Sequence, residues 1–207
     1  MTRQIILASS SPRRKELLTQ MGVQFTTITS DFDEYLDHSR PPAEVAKELG
    51  LGKARVVAEK YPEALVIGSD TIVTINGVQL GKAEDIEEAR RWLKDQSGHE
   101  ALVTTSVVLV CKALGLEEAR ADESTVHFKP YDQALHEAYL QTHNWADKAG
   151  AWGIQSGAAP LIEYIQGDYD TILGLSTRVL AELLEAQGIE ARVLHPEPPV
   201  PARAATE

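Results

Sequence analysis

At 207 residues, 43% hydrophobic and 25% charged, the chain has the make-up of a globular protein that can bury a core in one large domain or two fused lobes. Its net charge of −11 excludes a general nucleic-acid coat, which needs a basic surface, but not a small anionic ligand in a local basic pocket. A lone cysteine excludes an intramolecular disulfide, no stretch approaches a membrane span, and the apolar run at 5–8 is too short for a signal peptide, so a reducing, cytoplasmic setting is expected.

Residues 4–8 read as a short buried strand that breaks at Ser9-Ser10-Ser11-Pro12. Ser11 suits a helix N-cap and Pro12 a first helical residue, so a helix is predicted over 12–21, with Leu17, Leu18 and Met21 inward and Gly22 as its stop. Residues 25–29 alternate like a second strand, and 30–42 are acidic and irregular. Val45, Leu49, Val56 and Val57 space a helix over 43–61, which Gly50 and Gly52 each weaken by about 1 kcal/mol relative to Ala. A short strand over 65–68 precedes a hairpin over 71–80, turned at Asn76-Gly77. Next come a helix over 85–95, a long strand over 101–110 and its expected partner over 123–128. Cys111 adjoins the run Val107-Val108-Leu109-Val110 and reads as a buried thiol, not a nucleophile.

An amphipathic helix over 131–142 and a glycine-bearing loop over 144–160 follow. Residues 161–165 and 171–173 read as strands, and 176–187 as a last helix stopped by Gly188. Pro196, Pro198, Pro199 and Pro201, with no apolar spacing, predict a disordered tail over 195–207 after a single domain over 1–194. The mixed order predicts an α/β fold with a long, partly antiparallel sheet.

The first chemically informative stretch is Ser9-Ser10-Ser11-Pro12-Arg13-Arg14. Two arginines in a first helical turn oppose the helix dipole by roughly 0.3–1 kcal/mol each, which suggests that an anion such as phosphate completes the site. Solvated surface arginines are the plain alternative. Lys53 falls on the inward stripe of the helix over 43–61, where a lysine either snorkels or meets a partner. Asp70 stands just past the strand over 65–68, where it can bind a metal, take a proton from water or simply form a turn. Asp31, Asp33 and Glu34 suit a hard cation such as Mg²⁺ or Mn²⁺, or form an ordinary solvated loop. Gly81-Lys82 is a weak signal on its own. Within 147–155, Lys148 is a cation, Gln155 can both donate and accept, and Trp152 suits the core better than a stacking platform. The histidines lack zinc spacing, and no Gly-x-Ser-x-Gly elbow is present.

Taken together, Leu7-Ala8-Ser9-Ser10-Ser11-Pro12-Arg13-Arg14, Asp33-Glu34, Lys53-Ala54, Gly68-Ser69-Asp70-Thr71, Gly81-Lys82, the 147–155 stretch and Gly167-Asp168-Tyr169 with Gly174-Leu175 closely resemble the Maf family of nucleotide pyrophosphatases. The ordered set runs from residue 5 to about 180, and that order makes it specific. The resemblance implies a fold like that of inosine triphosphate pyrophosphatases, with a long curved mixed sheet and two lobes around a central cleft. It implies cytoplasmic, metal-dependent hydrolysis of nucleoside triphosphates to the monophosphate plus pyrophosphate, with Asp70 as proton acceptor. The expected substrate-binding residues are Ser9, Arg13, Arg14, Lys53, Lys82 and Lys148, and the expected metal-holding residues Glu34 and Asp70. Arg13, Thr71 and Gln155 match the positions that set base preference, and this set looks like the dTTP/UTP branch, with CTP or modified pyrimidine nucleotides as further candidates. Ala83, Trp152, Ser156 and Ser176-Thr177 depart from the family pattern, so modified purines such as 7-methyl-GTP stay an alternative, as does a non-catalytic nucleotide-binding regulator of cell division. Neither nucleic acid nor membrane is expected as a partner, and a homodimer is compatible with the reading.

Overall fold

The computed structural model describes residues 3–33 and 35–203. In chain order its elements are β1 (Ile5–Leu7), α1 (Pro12–Gln20), β2 (Thr26–Thr27), α2 (Pro42–Lys60), β3 (Leu65–Gly68), β4 (Thr71–Ile75), β5 (Val78–Leu80) and α3 (Ile86–Gln96). They continue with β6 (Glu100–Cys111), β7 (Leu116–Phe128), α4 (Gln133–Leu140), β8 (Ile162–Gln166), α5 (Tyr169–Leu173), α6 (Thr177–Glu185) and β9 (Ala202–Arg203). Among the described residues this is a mixed α/β fold of six helices and a nine-stranded sheet, in agreement with the fold class expected from the sequence. No helix among them is long and apolar enough to cross a membrane.

The chain divides into two compact units. The first holds the residues up to Thr71, Thr105–Asp122 and Asp170–Pro196. Here β1 lies between β2 and β3, parallel to both, and β3 pairs antiparallel with β6, matching Val66 to Val110. Ile6, Ala8, Ala54, Val57, Val66, Val108 and Val110 form one buried cluster. Ser11 caps α1, its hydroxyl accepting from the Arg14 N–H, and Pro12 follows as the sequence predicts. Gly50, one of the two glycines that weaken α2, lets its backbone approach the sheet. A Cβ at Gly68 would sit 2.4 Å from the Gly50 carbonyl, and one at Gly50 would sit 2.7 Å from Ser106 Oγ. No larger residue fits that contact without movement.

The second unit holds Ile72–Thr104, Glu123–Tyr169 and the residues from Glu197 onward. β4 pairs antiparallel with β5 across Asn76-Gly77, whose φ angles of 50° and 79° match the type I′ turn expected there. β8 pairs antiparallel with β7, and β9 lies parallel to β8 within the proline-rich tail. α3 and α4 are both capped by aspartates, Asp85 and Asp132. Trp152 is buried and meets Phe128 edge-to-face, the core role favoured for it.

Two elements differ from the expectation. β7 begins at Leu116, seven residues before the predicted strand, because pairing with β6 imposes extension on a charged stretch that carries no apolar alternation. Residues 171–173 lie in α5, not in a strand. The Asp170 carboxylate accepts from the Thr171 N–H at 2.8 Å and from the Thr177 N–H at 2.8 Å, which bends the chain back on itself.

Candidate active site

The turn after β1 is organised by hydroxyls. Ser9 is buried, and its Oγ accepts from the Ser11 N–H at 3.1 Å and from Arg14 Nη1 at 3.4 Å. Arg14 reaches further into the first unit: Nε donates to the Gly174 carbonyl at 2.7 Å and Nη2 to Thr71 Oγ1 at 3.1 Å. The same carbonyl accepts from Ser69 Oγ at 2.9 Å. Gly174 thus ties the α1 arginine to the segment that carries Asp70. Arg13, one residue earlier, is half-buried, and its side chain makes no hydrogen bond or ion pair among the described residues.

Asp70 follows β3 directly, and its carboxylate meets Lys53 Nζ at 2.5 Å, with only 10% and 12% of the two side chains exposed. The lysine expected either to snorkel or to find a partner therefore has one, the aspartate singled out independently. Ser106 on β6 holds the Asp70 backbone from both sides. Its N–H donates to the Asp70 carbonyl at 2.8 Å, and its Oγ accepts from the Asp70 N–H at 3.0 Å. That hydroxyl in turn donates to the Ala46 carbonyl of α2, the helix that carries Lys53, at 2.7 Å. Both partners of the ion pair are thus fixed to one buried serine.

Asp31 is exposed and pairs with Lys60 at 3.7 Å, and Asp33 is exposed. Glu34, expected to hold a metal, lies outside the described residues. Among the described residues no group of three or more His, Cys, Asp or Glu could hold a metal by itself. The donor that Asp70 offers is a hard carboxylate, which fits Mg²⁺ or Mn²⁺ when phosphate oxygens complete the sphere.

In the second unit, Lys82 is exposed and its backbone bridges to Ala149, while the Gly150 N–H donates to the Gly81 carbonyl at 2.9 Å. The two lysine-bearing segments, 81–82 and 148–150, therefore run side by side. Lys148 is buried, ion-paired with Asp147, and lies across Gly153, where a Cβ would come within 2.9 Å of its Cε. Gln155 is exposed and its side chain lies beside the Tyr169 phenol. Burial pushes the Tyr169 phenol up, and the neighbouring Gln155 amide opposes that shift.

Sequence reasoning missed Thr105, Ser106 and Asp170. The first two left a signal, since Thr104-Thr105-Ser106 interrupts the apolar run of β6 and all three are fully buried. Three successive buried hydroxyls in a strand need partners, and those of Thr105 and Ser106 reach the Thr171 carbonyl in α5 and the Asp70 backbone.

A family model described as Maf-like protein matches residues 4–187. The chain is 44% identical over 187 residues to the dTTP/UTP pyrophosphatase of Symbiobacterium thermophilum, covering 90% of this chain and 95% of that protein. It is 39% identical over 183 residues to the dTTP/UTP pyrophosphatase of Pyrococcus furiosus, covering 88% and 95%. A third relative, the dTTP/UTP pyrophosphatase of Deinococcus radiodurans, is 38% identical over 187 residues, covering 90% and 94%.

Proposed function

Because the chain belongs to the Maf-like protein family, we propose that it is a nucleoside triphosphate pyrophosphatase that hydrolyses dTTP and UTP to the monophosphate plus pyrophosphate. The observation that carries this reading is the buried Lys53–Asp70 pair at the end of β3. A carboxylate and an ammonium at the exit of a central strand suit hydrolysis of a polyanion: one group handles the water, the other the developing charge.

In the proposed reaction a water oxygen attacks the α-phosphorus and its proton passes to an Asp70 carboxylate oxygen. The bond from that phosphorus to the bridging oxygen breaks, and pyrophosphate leaves. Lys53 orients the carboxylate, and Ser106 fixes the backbone beneath it. Ser9, Arg13, Arg14 and the α1 N-terminus form the phosphate-binding set of the first unit, and Lys82 and Lys148 that of the second. Asp70 and Glu34 are proposed to hold a divalent cation. When bound, that cation supplies Lewis acidity that neutralises charge on the phosphates. Arg13, Thr71 and Gln155 are proposed to set base preference. The lone buried Cys111 suits a reducing compartment, so we place the reaction in the cytoplasm.

The test is a panel of dTTP, UTP, CTP, 7-methyl-GTP and ITP with Mg²⁺ or Mn²⁺, with product analysis in ¹⁸O-water. The reading predicts pyrophosphate release, fastest from dTTP and UTP, with the label in the monophosphate. Nucleoside diphosphate and orthophosphate as products, or fastest turnover of 7-methyl-GTP, would contradict it.

A further inference from the structure

Thr71 sits in a chain of hydrogen bonds whose direction can be worked out atom by atom. Its Oγ1 lies 3.1 Å from Arg14 Nη2 and 3.0 Å from Thr105 Oγ1. Thr105 Oγ1 lies 2.8 Å from the Thr171 carbonyl. A carbonyl can only accept, so the single hydroxyl hydrogen of Thr105 is committed to Thr171. Thr105 can therefore only accept from Thr71, and the Thr71 hydrogen is committed in turn. A guanidinium can only donate, so Thr71 accepts from Arg14. The chain runs from Arg14 through Thr71 and Thr105 to Thr171 O, with its direction fixed at both ends.

One lone pair of the Thr71 hydroxyl remains. Thr71 is half-buried and Thr105 is fully buried, so water cannot easily reorient the inner end of the chain. Reversal would turn the Thr105 hydrogen away from a buried carbonyl.

We propose that Arg14 and Thr105 are positioning residues that make Thr71 an acceptor-only reader of the substrate base. Facing the ring N3 of the base, it then selects one that presents an N–H there, as the imides of uracil and thymine do, over one that presents a bare nitrogen there, as cytosine does. This rests on the reading of Thr71 as a residue that sets base preference, and it adds the physical reason for that preference. A hydroxyl able to rotate would serve both bases, whereas one with its hydrogen committed elsewhere serves only a donor.

The test is equilibrium binding of UMP, CMP and 3-methyl-UMP to the full chain and to the variants Thr71→Val, Thr105→Val and Thr105→Ser. The parent is expected to bind UMP about tenfold more tightly than either of the others. Thr71→Val should bring the UMP-to-CMP ratio near one. Thr105→Val releases the Thr71 hydrogen and should raise CMP binding relative to UMP, and Thr105→Ser should restore the parental ratio. A merely structural role for Thr105 would weaken both ligands alike. An unchanged UMP-to-CMP ratio in Thr105→Val, or no discrimination in the parent, overturns the proposal, and Thr105→Ala, which removes the same hydroxyl, takes its place if Thr105→Val fails to fold. Binding of a monophosphate needs no turnover. A protein that discriminates these ligands but releases no pyrophosphate from UTP contradicts the proposed reaction, not this chain of hydroxyls.

Discussion

Ser106 shows how much one hydroxyl does at this site, since it joins the Asp70 N–H to the Ala46 carbonyl. Ser106→Ala leaves a buried N–H and a buried carbonyl each short of this partner, a cost of about 1–3 kcal/mol. Urea unfolding should show that loss, and an unchanged midpoint would mean the contacts are incidental. Arg13 makes the opposite case: it is half-buried, and its side chain makes no hydrogen bond or ion pair among the described residues. Arg13→Ala should therefore raise KM for UTP about tenfold and leave kcat within about twofold, the signature of lost binding common to ground and transition states. A fall in kcat at constant KM would contradict its role as a phosphate contact. The residue types at Ser9, Arg14, Lys53 and Asp70 were legible because each is chemically out of place in its stretch. Their partners were not, because Gly174 lies 160 residues from Arg14 and 105 from Ser69, beyond the reach of any local pattern.

Side-chain caps mark the starts of α1, α3 and α6, and the uncapped α2 is marked by its apolar spacing instead. Ser11, Asp85 and Ser176 each accept from the backbone N–H three residues on, and α1, α3 and α6 start within one residue of the expected positions. α5 reads as a strand in the sequence because a short apolar run has no periodicity to distinguish the two, and the bend at Asp170 is a tertiary device. Gly50 in α2 illustrates the same limit. Propensity alone predicts that Gly50→Ala stabilises the helix by about 1 kcal/mol. The structure reverses the sign, since the added Cβ would meet Ser106 Oγ at 2.7 Å and Val108 Cγ1 at 3.2 Å. The variant should lose about 1–3 kcal/mol on denaturant unfolding, and a gain would show that α2 can shift without cost. Between α3 and α4, Arg90 forks onto Glu137 at 2.7 Å and 2.9 Å, and this bond holds the Glu137 carboxyl below its usual value of 4.5. A lowered folded-state value means that its contribution is present above the unfolded value and is lost as pH falls through the folded one. Thermal scans should therefore show Glu137→Gln less stable than the parent near neutral pH, with the gap closing below the usual glutamate range. A gap that widens in acid would contradict the assignment.

Across the whole molecule, a chain of net charge −11 must gather its cations locally to bind a polyanion. The first unit does so at Ser9–Arg14 and Lys53, and the second along the adjoining segments of Lys82 and Lys148. The α/β class was legible because the elements alternate irregularly and the strand signals are strong. The full course of β7 and the short strand of the tail were not, because both are extended by pairing with neighbours, not by their own composition. Asp70, buried against Lys53, is the proposed acceptor of the proton from the attacking water. The most direct measurement is kcat for UTP hydrolysis by Asp70→Asn, with circular dichroism to establish that the variant is folded. The expected result is a folded protein whose kcat falls by about 10²–10⁴ while UTP still binds. A folded variant that releases pyrophosphate at the parental rate would contradict it.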